Sequence, residues 1–184
     1  MPSPGLRPAP VPGWCVTTFD VPEVEDVIDQ PGKIQFEAFL DQHRVLLSTC
    51  LDGLSEYQVR RRLLPSKTTL LGLVKHVTFV EKVWFDEAVT GRSRAELGIQ
   101  VGPDESFDLD QDDTVASIRQ GHVQACEASR RAVARLSLED LVHGNRRGPL
   151  PLRWVYLHVL RELAQHCGHA DILREQLLSG SSTD

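Results

Sequence analysis

The sequence predicts an all-α fold: a four-helix bundle with an extended N-terminal arm and a long connection between the second and third helices. Three observations predict it. Apolar residues recur at three- and four-residue spacing in four separate stretches, no segment alternates over the length of a strand, and the Pro and Gly breakers fall between the stretches.

The arm comes first. Seven of the eleven prolines lie within residues 1–32, so this segment is expected to be extended rather than helical, with Trp14, Phe19 and Val21 apolar enough to dock on the bundle. The bundle is assigned to 33–180 and a short tail to 181–184. Phe36, Phe39, Leu40, Leu46, Leu47, Cys50 and Leu54 form one stripe and predict a first helix over 33–54. Ser66 is the expected N-cap of the second, which carries Leu70, Leu73, Val74, Val77, Val80 and Trp84 and stops near Gly91. A polar, Asp-rich connection over 92–112 is too long for a hairpin and predicts a crossover. Asp112 or Asp113 is expected to cap the third helix, with Val115, Ile118, Ala125, Cys126, Ala132, Val133 and Leu136 on its inner face. A short helical turn is expected over 138–142. The Gly148-Pro149-Leu150-Pro151 breaker then precedes a last helix over 152–179, closed by Gly180.

At 184 residues the chain is long enough to bury a core without disulfides. Its net charge of −6 gives no electrostatic footprint for nucleic acid. The one tight basic run, Arg60-Arg61-Arg62, reads as a solvated face. No stretch reaches the ~18 apolar residues of a membrane span, and no signal-peptide pattern opens the chain. Cys15, Cys50, Cys126 and Cys167 are scattered without a CxxC pair, which fits reduced thiols and a cytoplasmic location.

The informative feature is polar residues within apolar seams. The inner face of the last helix runs Val155, Val159, Glu162, His166, His169, Leu173, and Glu162 and His166, four apart, stack on one face. His76 lies between Leu73 and Val80 on the inner face of the second helix. A carboxylate and imidazoles buried alone are costly, and a metal ion resolves that cost. Two readings fit the Glu162/His166 pair: metal ligands, or a hydrogen-bonded pair at a helix surface. Imidazole with one carboxylate suits Zn²⁺, and Ni²⁺ or Fe²⁺ also fit. His43 and His122 sit in the stripes of the first and third helices and read as satisfied core or rim histidines. His43 also falls at a depth similar to His76 and is a candidate on the substrate side. Arg153 and Trp154, at the start of the last helix, are placed to meet an anionic or aromatic group. The chain has no Gly-rich phosphate loop and no GxSxG elbow.

Two ordered segments carry a family resemblance. Pro65-Ser66-Lys67-Thr68-Thr69-Leu70-Leu71-Gly72-Leu73-Val74-Lys75-His76-Val77, with Glu81 and Trp84-Phe85, resembles helix two of the DinB-like superfamily. Leu152 to His158, leading to Glu162-Leu163-Ala164-Gln165-His166-Cys167-Gly168-His169-Ala170-Asp171, resembles its closing helix in an actinobacterial-type branch. The resemblance spans about 34–180. It implies a four-helix bundle holding one divalent metal through a histidine of helix two and two ligands on the last helix. Those positions here are His76, Glu162 and His166, similar to the His…Glu-x-x-x-His form of mycothiol-dependent maleylpyruvate isomerases. His169 stands where the common form often has Gln, so no ligand role is carried to it, and it is a candidate only for contact with a ligand or with the substrate. Relatives of this kind imply a thiol-dependent transferase acting on an electrophilic small molecule, with a low-molecular-weight thiol as co-substrate. An isomerase or hydrolase of a secondary metabolite, or a non-catalytic metal-binding bundle, stays open beside it. So does a homodimer, for which no surface stripe argues.

Overall fold

The computed structural model describes residues 21–180. The expectations for Trp14, Phe19, most of the arm and the 181–184 tail lie outside them. Helix α1 spans Gly32–Thr49, α2 spans Leu70–Glu81, α3 spans Val115–Val133 and α4 spans Leu152–Ser179. Helix α2 continues through a π-helical turn, Lys82–Glu87, and a last α-turn, Ala88–Thr90, before Gly91 stops it at φ 71°. The arm's end is not wholly extended, because Val24–Val27 forms a 3-10 turn that buries Val27.

The local chemistry fixes these boundaries. Thr69, rather than Ser66, caps α2 by accepting from the Gly72 N–H at 3.0 Å. Thr114, rather than either aspartate, caps α3 in a reciprocal box with Ser117. Asp113 instead pairs with Lys75 at 2.7 Å, and Asp110 with the same lysine at 2.9 Å. The turn expected over 138–142 is a two-residue strand, β1 (Leu141–Val142), paired antiparallel with β2 (Leu150–Pro151).

Cross-helix pairs give the topology. Tyr156 bonds Glu37, and Arg174 bonds the Cys50 carbonyl, so α1 and α4 run parallel. His76 meets His166, and Phe85 meets Tyr156, so α2 and α4 are antiparallel. Lys75 reaches Asp113, and Thr78 reaches His122, so α2 and α3 are parallel. The connection over 91–114 is therefore a true crossover, and the order is up-down-down-up. Lys33, at the start of α1, donates to the Val133 and Leu136 carbonyls and closes the end of α3.

The core is a continuous apolar cluster that includes Leu40, Leu47, Leu71, Leu73, Val77, Val155, Val159 and Leu163. Phe39 and Leu46, expected inside, face outward at 39% and 50% exposure. The inward position between them belongs to Arg44, 4% exposed, whose guanidinium grips both oxygens of the fully buried Glu81 at 2.8 and 2.7 Å. Asp41 accepts from Arg44 and from Arg130, completing a paired cluster between α1, α2 and α3. His122, 1% exposed, lies beside it with Thr78 and Cys126 as neighbours. Among the described residues no helix is long and apolar enough to cross a membrane.

Candidate metal centre and cavity

Helix α4 places Glu162 and His166 one turn apart, and α2 brings His76 against them from across the antiparallel seam. One donor atom from each of the three lies within 4.8 Å of the others. His76 and His166 meet edge to face with ring centroids 4.8 Å apart.

The crossover orients His76. The Ser106 hydroxyl donates to the Pro103 carbonyl at 2.6 Å, so its oxygen receives the Nδ1 proton of His76 at 2.7 Å. That fixes the tautomer and leaves Nε2 as the lone-pair nitrogen. Phe107 stacks on the same ring at 3.9 Å between centroids. This roof needs Gly72: a Cβ there would stand 2.7 Å from the Phe107 carbonyl oxygen. His166 turns Nε2 toward Glu162 at 3.8 Å and Nδ1 toward His169 Nδ1 at 3.4 Å.

Burial, with the neighbouring His166, pushes the His76 pKa down to about 4, and burial likewise lowers His166. Both imidazoles are therefore neutral at pH 7, the form that offers lone pairs. Partial burial would raise the Glu162 carboxyl, but Arg161 and the flanking histidines outweigh it, and it sits below its ordinary value. The trio is thus one anion and two lone-pair nitrogens.

His76 and Glu162 of the trio line a cavity of about 320 Å³, and His166 lies behind them. Phe79, Val80, Val83 and Trp84 make its apolar wall, and the π-helical turn presents Val83, Trp84 and Glu87 to it. The loop between β1 and β2 also lines it, with Asn145, Arg146 and Arg147. Gly144 seats that loop by donating to the Ala88 carbonyl at 2.9 Å, where a Cβ would stand 2.0 Å from the Glu87 oxygen. Arg94 and Arg161 complete the lining.

Other candidates fall elsewhere. His169 is exposed, not on the inner face, and touches the trio only through His166. His43 is held by the carbonyl of Phe39, within its own helix, and is no part of the trio. Arg153 pairs with Glu139 at the surface. Trp154 stacks on His158 at 5.0 Å, and both rings lie against Trp84. The reading of the sequence did not single out Arg94, Arg146, Arg147, Arg161 or His158. The arginine pair beside Gly148-Pro149 was the available signal, because a cationic turn tip next to a chain breaker is a loop presented to solvent.

No curated protein matches this chain. The family model described as mycothiol-S-transferase matches residues 35–178, most of the chain and both halves of the trio. A DinB-like helical bundle matched over that span belongs to the mycothiol-S-transferase family.

Proposed function

We propose that His76, Glu162 and His166 hold one divalent metal ion and that the chain transfers a low-molecular-weight thiol, of the mycothiol kind, to an electrophilic small molecule in the adjoining cavity. The observation that carries this reading is the convergence of three donor atoms within 4.8 Å, two of whose residues, His76 and Glu162, line that cavity. The donor set fits the group: two neutral imidazoles and one carboxylate are the composition of an open, catalytic Zn²⁺-type site, and Ni²⁺ or Fe²⁺ is accommodated by the same atoms. A bound divalent ion supplies Lewis acidity that stabilises thiolate over thiol near neutral pH.

The protein's residues do the rest. Ser106 and Phe107 hold the His76 ring, and His169 meets the rear nitrogen of His166. The apolar wall of Phe79, Val80, Val83 and Trp84 excludes water from one side of the substrate. Sulfur forms a bond to the electrophilic carbon, the leaving group departs with its bonding pair, and the thiol proton passes to solvent. Among the described residues no cysteine is free to act as the nucleophile, in keeping with a thiol supplied as co-substrate. Cys50, Cys126 and Cys167 are buried, and burial pushes the thiols of Cys50 and Cys167 up to about 12 and that of Cys126 higher still.

Elemental analysis of untagged protein, beside the double variant His76→Ala/His166→Ala, tests the first half. About one divalent ion per chain is expected in the wild type and none in the variant. Thiol consumption with a haloaromatic electrophile tests the second half. No metal in the wild type after incubation with Zn²⁺ or Ni²⁺ overturns the reading.

A further inference from the structure

Charge is distributed unevenly around the cavity. Four arginines line it against two carboxylates, in a chain whose net charge is −6. Two of the four are already paired: Arg94 with Glu87 at 3.1 Å, and Arg161 with Glu162 at 2.7 Å. Arg146 and Arg147 have no carboxylate partner among the described residues. Arg147 lies over the indole of Trp84 at 5.1 Å and that of Trp154 at 6.0 Å. Stacking occupies the face of a guanidinium and leaves its N–H edge free, and that edge matches the two oxygens of a carboxylate. An unpaired cation pair facing an apolar wall, in an acidic protein, is a local reversal of potential that concentrates small anions.

We propose that the electrophile carries a carboxylate on an aromatic or unsaturated body. The carboxylate meets Arg146 and Arg147 on the β1–β2 loop, the body lies along Val83 and Trp84, and the reactive carbon points down toward the trio. This rests on the transferase reading for the word electrophile; the anion pocket itself does not depend on it. The arginines are assigned to the electrophile rather than the thiol because Arg147 rests on the indole of Trp84, part of the apolar wall against which a flat unsaturated body packs.

The test uses two unreactive probes of one shape, cinnamate and cinnamamide, titrated against the full-length protein by quenching of tryptophan fluorescence and by calorimetry. Cinnamate is expected to bind at least tenfold more tightly at low salt, with the margin shrinking as ionic strength rises. Arg146→Ala/Arg147→Ala is expected to abolish that preference. Arg153→Ala, at a surface arginine outside the cavity, is expected to keep it. Equal binding of the two probes overturns the proposal, as does a preference that survives in the double variant. A second pair of measurements separates this proposal from the function on which it builds. Selective cinnamate binding without thiol transfer to any electrophile leaves the pocket standing and removes the transferase. Transfer that is equally fast to neutral and carboxylated electrophiles, with the double variant raising KM for the thiol alone, keeps the transferase and removes this proposal.

Discussion

Two buried polar clusters share helix α2 and differ in one respect. Glu81, on α2, faces Arg44, which supplies charge and donors to both its oxygens; Asp41 and Arg130 finish the pairing. Glu162, on α4, faces two neutral imidazoles that bring no charge, while its other oxygen is held by Arg161 at the rim. The first cluster is electrically complete and closed. The second is a set of acceptors aimed at a common point and open to a cavity. The same residue types therefore serve opposite ends, and the partner's charge, more than burial, decides which.

The largest expected effect tests the closed cluster. Glu81→Ala strips the buried Arg44 of its bidentate partner and leaves it Asp41, already shared with Arg130, as its one carboxylate, and is expected to cost about 3–5 kcal/mol in urea unfolding. Glu162→Ala, in metal-free protein, is expected to cost well under half of that, since Glu162 is only partly buried. Equal losses would erase the distinction between the clusters.

The next test reverses the sign. Adding Zn²⁺ at about a hundredfold over its Kd is expected to stabilise the wild type by about 2.7 kcal/mol, seen as a rise in Tm of several degrees. Glu81→Gln should keep that rise if it folds, and Glu162→Ala should lose it.

The third uses pH. Burial pushes the His122 pKa down to about 4, so the folded protein keeps this ring neutral where the unfolded chain would protonate it. The unfolded state then binds more protons between pH 6.5 and 4, and stability falls as pH drops through that window by about 3 kcal/mol from this group. Below it the depressed Glu81 carboxyl adds further loss in the same direction. His122→Asn is expected to make the upper part of the profile shallower, with His76 and His166 supplying the rest of the fall, measured as unfolding free energy against pH without metal.

The smallest effect concerns His169. Its removal is expected to weaken metal affinity about tenfold with little change in the Tm of the metal-free protein, read by chelator competition. An unchanged affinity would mean that the His166–His169 contact orients nothing.

The contrast also marks what the sequence makes visible. The last helix was legible to the residue because Pro151 and Gly180 punctuate it, and the crossover was legible from the length of its connection. Glu162 and His166 stand out because four-residue spacing is local information. Arg44–Glu81 does not, because an arginine in an apolar stripe looks like an error until its partner 37 residues away is placed. Phe39 and Leu46 mislead for the same reason: they are apolar, yet the residue facing inward between them is charged. The π-helical turn has no signature in the sequence, since one extra residue per turn is imposed by packing.

The parallel pairing of the first and last helices has a temporal consequence. Helix α1 waits for a neighbour more than a hundred residues downstream, which raises contact order and slows closure of the bundle. During synthesis, at roughly 5–20 residues per second, α2 and its His76 leave the ribosome several seconds before α4 does. For that interval the nascent chain exposes half a core and offers one of the three donors. Completion of the core and completion of the donor set are thus a single event, timed by the arrival of the final helix.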